Sequence, residues 1–166
     1  MISESSTQLS LLLDVAIALG LGGLLGLERE WKQKPAGLRT NMIIAGASAL
    51  FIGLGRVGVT DYIHLASEKS FGIDPTRILH AVIVGVGFLG AGTILKSTEN
   101  TRVHYLTTSA TIWMSSALGI AVALHQYVLA VSVTVLLITI NFVFSYVNRL
   151  ISRASGYPPK RKDEEG

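Results

Sequence analysis

The sequence predicts an all-α integral membrane protein of about five transmembrane helices, its N-terminus outside and its C-terminus cytoplasmic. Three observations carry this. Of the 166 residues, 49% are hydrophobic and only 15% charged, too apolar for a soluble domain of this length. The apolar residues are gathered into long runs rather than spread with the period of a half-buried strand or a surface helix. Lysine and arginine also alternate between connections. Four lie between the first and second spans, two between the third and fourth and five in the tail. None precedes the first span, three lie between the second and third, and none occupies the last turn, so the positive-inside rule sets the orientation. Cysteine is absent, which excludes a disulfide framework, a thiolate metal site and a cysteine nucleophile. The net charge of +3 reads as membrane orientation, and no nucleic-acid partner is expected.

Residues 1-8 form a polar N-terminal tail without Lys or Arg, and so without the basic start of a signal peptide. A single transmembrane domain occupies 9-147, with spans at about 9-27, 41-55, 78-95, 105-124 and 127-147. Residues 148-166 are a basic cytoplasmic tail. The first span carries Asp14, which costs about 2.5 to 3.5 kcal/mol if placed at the bilayer centre and demands compensation. Gly22 and Gly26 in the same span make a small-xxx-small pair. The second span, rich in small residues (Gly46, Ala47, Ser48, Ala49, Gly53), is expected to pack against the first across a tight hairpin. In the long polar connection that follows, Asp61 to Lys69 reads either as a short interfacial helix or as a plain loop.

The third span opens at Asp74, an N-cap, with Pro75 in the first turn. Its glycines Gly85, Gly87, Gly90 and Gly92 fall on two sides of the helix, which predicts a thin, central packing helix, since close backbone approach drives association in lipid. Gly85 to Gly90 also spells the dinucleotide-binding G-x-G-x-x-G. It lies within an apolar span, not between a strand and a helix, and is not read as a nucleotide site. The fourth span carries Thr107, Thr108, Thr111, Ser115 and Gly119 on one stripe, read as interhelical glue or, alternatively, a polar pathway. The fifth, apolar on every side, is expected at the periphery.

The intramembrane polar candidates are Asp14, Arg77 and His80. They are expected to meet, as a structural ion pair or as a proton or cation relay. A cytoplasmic collar of Glu28, Arg29, Arg39 and Thr40 follows from the orientation, with Lys96, Glu99 and Arg102 in the same boundary layer. Glu28, Glu30 and Glu99 are read as a salt-bridged collar, with Mg²⁺ attraction as the alternative. No set of nucleophile, base and oxyanion donors is organised by any motif, so the chain is read as non-enzymatic, with no cofactor and no metal site.

The chain resembles the MgtC/SapB family of bacterial inner-membrane proteins. The resemblance rests on GLERE at Gly26 to Glu30, PAGLRTN at Pro35 to Asn41, DPTRI at Asp74 to Ile78, GVGFLGAGTIL at Gly85 to Leu95 and LTTSATIW at Leu106 to Trp113. Where the family has a glycine before Leu-Thr-Thr, Tyr105 stands here, implying a change in the loop entering the fourth span. Longer members carry a cytoplasmic ACT-like domain after the last helix, and this chain is read as a short form without it. The resemblance implies a multi-pass inner-membrane protein of adaptation to low magnesium and, in pathogens, of survival inside macrophages. It also implies regulation, including inhibition of the F-type ATP synthase through its membrane sector; the small-residue sides of the third helix add a surface for packing against such a membrane partner or against copies of the chain itself. The alternative is a Mg²⁺ or proton transporter or channel component.

Overall fold

The computed structural model describes residues 2–65, 74, 76–95 and 105–154. They form five helices: α1 (Ile2–Trp31), α2 (Leu38–Leu65), α3 (Thr76–Leu95), α4 (Leu106–Ala123) and α5 (Tyr127–Ala154). Each holds a stretch long and apolar enough to cross a bilayer. Helices satisfy their backbone polar groups internally, as a hydrocarbon environment requires. The second span is longer than its apolar run suggests: α2 continues past Gly55 to Leu65, so Arg56 is a helical residue and the first half of the Asp61 to Lys69 segment extends α2. Its second half, together with Pro75, Lys96, Glu99 and Arg102, lies outside the described residues.

The core is a bundle of α1, α2 and α4. It buries Ala18, Leu21, Leu25, Ala45, Ala49, Ile52, Leu118 and Val122, with Ala130 of α5 against its edge. Small residues, rather than greasy ones, decide which faces turn inward. A methyl group on Gly22 of α1 would stand 2.5 Å from the Asn41 carbonyl oxygen and 2.7 Å from the Ala45 Cβ of α2. One on Gly26 would stand 2.8 Å from the Leu38 Cα. On α4, Gly119 lies directly against the Ala45 carbonyl. Backbones that approach this closely exchange more dispersion contact than side chains facing lipid, the main gain available where lipid tails are as apolar as leucine.

The third span is therefore not the centre of the molecule. Half of α4's crossing stretch is buried, against 11% of α3's. Of α3 only Val86 and Gly90 are buried. Gly90 lies over the Ser109 hydroxyl of α4, a Cβ added at Gly87 would stand 3.8 Å from the Trp113 indole nitrogen, and one added at Gly85 or Gly92 would meet nothing within 4 Å among the described residues. Glycine content indicated a thin helix correctly, yet only one of its two thin sides is covered. The expected peripheral position of the fifth span agrees with its exposure, since 11% of its crossing stretch is buried.

Among the described residues, four non-glycine residues lie in the left-handed region: Gln33 and Ala36 in the α1–α2 connection, Tyr105 before α4 and His125 after it. Tyr105 enters α4 with φ 67° and ψ 18°, the conformation a glycine adopts at no steric cost. After α4, the His125 N–H reaches the Val122 carbonyl at 2.8 Å and the Gln126 N–H the Ala121 carbonyl at 2.9 Å, a Schellman closure with His125 at φ 60° in the usual glycine position.

Candidate functional site

Two buried polar groups, Asp14 and Arg29, sit about four turns apart on α1, and each gathers a cluster at one end of the core.

At the first end, Asp14 is 2% exposed. Its Oδ1 accepts a 2.6 Å hydrogen bond from the Tyr127 hydroxyl of α5. Its Oδ2 lies 3.3 Å from His125 Nε2 and 3.9 Å from Arg56 Nη2 of α2, and it has no hydrogen-bond partner. Arg56 Nη1 donates to the Ala123 carbonyl at 2.9 Å and lies 3.0 Å from His125 Nε2. The carboxylate thus has compensating charge and a donor, but not from the expected residues. Arg77 and His80 are exposed at the start of α3, where they flank Asp74 instead. Because α3 packs outside the core, its first turn cannot reach α1. Asp74 itself caps α3, accepting from the Thr76 hydroxyl at 2.6 Å and the Thr76 N–H at 2.9 Å. These two bonds, the hydroxyl first, hold its carboxyl below the usual carboxylate range.

At the other end, Arg29 is 5% exposed. Its Nη2 donates to Thr108 Oγ1 of α4 at 2.6 Å, while its Nε is buried without a partner. Asn41, fully buried, donates to the Ala36 and Gly37 carbonyls at 2.7 and 2.8 Å and accepts from the Ser115 hydroxyl at 2.7 Å. One side chain so joins the α1–α2 connection, the start of α2 and the middle of α4. Glu30 Oε2 accepts from the Leu38 N–H at 3.1 Å, capping the N-terminus of α2 from α1. Glu28 pairs with Lys32 one turn on and accepts 3.0 Å from Asn141 of α5.

The collar residues divide accordingly. Glu28 and Arg29 face the bundle, while Arg39 and Thr40 are exposed on the outer side of α2. Of the hydroxyl stripe, Thr108, Thr111 and Ser115 are buried and Thr107 is exposed, its carbonyl accepting the Thr111 hydroxyl at 2.8 Å. Midway between the ends, Ser48 of α2 and Ser116 of α4 share a 2.7 Å bond. Thr111 bonds a carbonyl of its own helix, while Thr108, Ser115 and Ser116 bond polar groups of α1 and α2. Arg56, His125, Tyr127 and Asn41 are not singled out by sequence reasoning. An unmet intramembrane Asp14 was the available signal, but spacing alone does not say which cation answers it.

Residues 15–150 match the MgtC family. The chain belongs to the MgtC family. It is similar to the protein MgtC of Salmonella typhimurium, 34% identical over 149 residues, which are 87% of this chain and 58% of that protein. It is similar to the SapB protein of Bacillus subtilis, 39% identical over 134 residues, 80% of this chain and 56% of that protein. A third relative, of Escherichia coli, is named a putative magnesium transporter, YhiD. It is 38% identical over 122 residues, covering 74% of this chain and 54% of its own. The chain therefore spans a little over half the length of these MgtC family relatives. No solved structure matches it. The matched region begins just after Asp14 and takes in the Arg29 cluster, all of α3 and α4, and α5 as far as residue 150.

Proposed function

We propose that the chain is a non-enzymatic regulator of the bacterial inner membrane that serves adaptation to low magnesium and, in a pathogen, intracellular survival. It acts by packing α3 against a helix of a membrane partner, such as the membrane sector of the F-type ATP synthase. The observation that carries this reading is the side of α3 that no other described residue covers. A Cβ added at Gly85 or Gly92 meets nothing within 4 Å among the described residues, and Phe88 between them is 80% exposed. A helix docked on α4 through Gly90 thus presents a second small-residue groove to lipid, where close approach by another helix gains contact that lipid tails do not supply. The MgtC and SapB relatives support the family setting. With the N-terminus outside, as the basic residues suggest, the Arg29 end is cytoplasmic.

The test is ATP-driven proton pumping in inverted membrane vesicles with and without the protein. Loss of pumping without a faster passive leak, relieved by Gly85→Leu or Gly92→Leu in protein that still inserts, supports docking on the synthase. Pumping that the protein leaves untouched removes the synthase as partner, and inhibition that survives both substitutions removes the α3 groove. Gly90→Leu is the weaker probe, because it also disturbs the contact with Ser109 inside the molecule.

A second reading, passage of Mg²⁺ or protons, draws on the polar column of Asp14, Ser48, Ser116, Asn41, Ser115 and Thr108, all buried in the core. It predicts that Asp14→Asn blocks flux into vesicles while assembly is unchanged. Equal flux with and without the substitution would eliminate Asp14 from any such path.

A further inference from the structure

We propose that the Arg29 end of the bundle is a binding site for an oxyanion of the phosphate type, supplied by a lipid headgroup or from solution. The inference depends on neither functional reading above and starts from a buried charge that no described residue answers. Arg29 is 5% exposed and carries five N–H donors, of which one, on Nη2, reaches an acceptor, the neutral Thr108 hydroxyl at 2.6 Å. Nε is enclosed and unmet, whereas Nη1, also without an acceptor among the described residues, is not enclosed. A guanidinium does not shed its proton, and a buried charge is costly unless an opposite charge meets it.

The neighbouring acids are already engaged. Glu28 pairs with Lys32 and accepts from Asn141, and it attracts Arg29 through space only. Glu30 is taken up by the Leu38 N–H. The compensating anion therefore has to come from outside these residues, and the open edge at Nη1 is where it meets the guanidinium first.

A second observation is where the side chain points. Thr108 is the third residue of α4, so Nη2 is aimed at the first turn of an 18-residue helix, the end that carries partial positive charge. Tyr105 gives that turn no side-chain cap. A guanidinium and a helix N-terminus set side by side repel one another and both attract an anion, the combination that phosphate sites use. The planar fork of donors suits an oxyanion with two or more oxygens better than a halide. Depth in the membrane agrees with this chemistry. Trp31, two residues on, is 84% exposed, as an aromatic at the lipid–water boundary is, and the Lys32 side chain beside it is about a third exposed. Headgroup phosphates occupy that layer, and free phosphate reaches it from water.

The experiment is thermal unfolding of the full chain in a neutral detergent, against inorganic phosphate at an ionic strength held constant with chloride. It is repeated in the same micelles doped with phosphatidylglycerol or with diacylglycerol, which has the chains without the phosphate. At about a hundred times its Kd the ligand should raise the midpoint by about 5–10 °C. A gain from inorganic phosphate shows that a free anion enters; a gain from phosphatidylglycerol above diacylglycerol, with inorganic phosphate inert, assigns a headgroup. In Arg29→Met, which leaves an apolar chain and no charge in the buried position, either gain should vanish. In the unsubstituted protein the Arg29 side-chain ¹⁵N signals should move as the ligand is added, a reading that needs no variant to fold. No gain from either ligand overturns the proposal. So does a gain of equal size in Arg29→Met, or Arg29 signals that stay in place while the midpoint rises.

Discussion

Adding one methyl group to Gly119 should be among the most damaging single changes in this chain, and adding the same group to Gly85 should be harmless. At Gly119 the new Cβ would overlap the Ala45 carbonyl oxygen, with the carbonyl carbon at 2.9 Å and the Ala45 Cα at 3.1 Å. All three atoms are backbone, so relief requires moving α2 away from α4 rather than rotating a side chain. Overpacking of this kind costs about 1–3 kcal/mol, and the separation opened along the rest of the contact adds to it. At Gly85 a Cβ meets nothing within 4 Å, and alanine gains about 0.5–1 kcal/mol over glycine in a helix interior. The two variants should therefore differ by about 2–4 kcal/mol, or about 4–16 °C in midpoint for a chain of this size. Thermal unfolding of Gly119→Ala and Gly85→Ala in the same detergent measures the difference directly. Equal midpoints, or a lower one for Gly85→Ala, would refute the assignment of the core to α1, α2 and α4 with α3 outside it.

Two further outcomes follow from the polar contacts. Thr108→Val removes the hydroxyl that accepts from the buried Arg29 guanidinium, so it should cost about 1.5–3 kcal/mol and Thr108→Ser should restore most of it, read as unfolding midpoints. Asp74 has its folded carboxyl held below the ordinary range by the Thr76 hydroxyl and N–H, so its capping contribution is present above the unfolded value and is lost as pH falls through the folded one. The midpoint difference between the parent chain and Asp74→Ala should accordingly shrink as pH drops below about 4. A difference unchanged across that range would mean that the carboxylate does not cap α3.

The number of spans, the α1–α2 hairpin and the N-cap at Asp74 were legible because each depends on local spacing: apolar run length, Gly22 four residues from Gly26, an acid before a proline. The rank of the helices was not. The G-x-G-x-x-G of α3 and the single Gly119 of α4 carry no label saying which glycine meets backbone and which meets lipid, and the longer motif attracted the central role. In a soluble protein the hydrophobic face would have decided between them, but α3 is apolar on nearly every side and α4 turns hydroxyls and glycine, not its large apolar residues, to its neighbours, so that signal is missing. The same limit applies to the sites. Asp14 was recognisable as a charge in need of a partner. Arg56 was concealed by the apparent end of the span at Gly55, and His125 by its position in what reads as a minimal turn.

The pairing of Asp14 with Tyr127 joins residues 113 positions apart, from the first helix to the last. During synthesis at roughly 5–20 residues per second, the aspartate is in the membrane for several seconds before that hydroxyl exists. Arg56 arrives first and supplies charge. Val122 and Gly119 then complete the three-helix core, and only the following turn delivers the groups that close over the carboxylate. Of the three side chains set around the carboxylate, two, His125 and Tyr127, are therefore among the last parts of the bundle to be made, and a chain that ends before α5 lacks both.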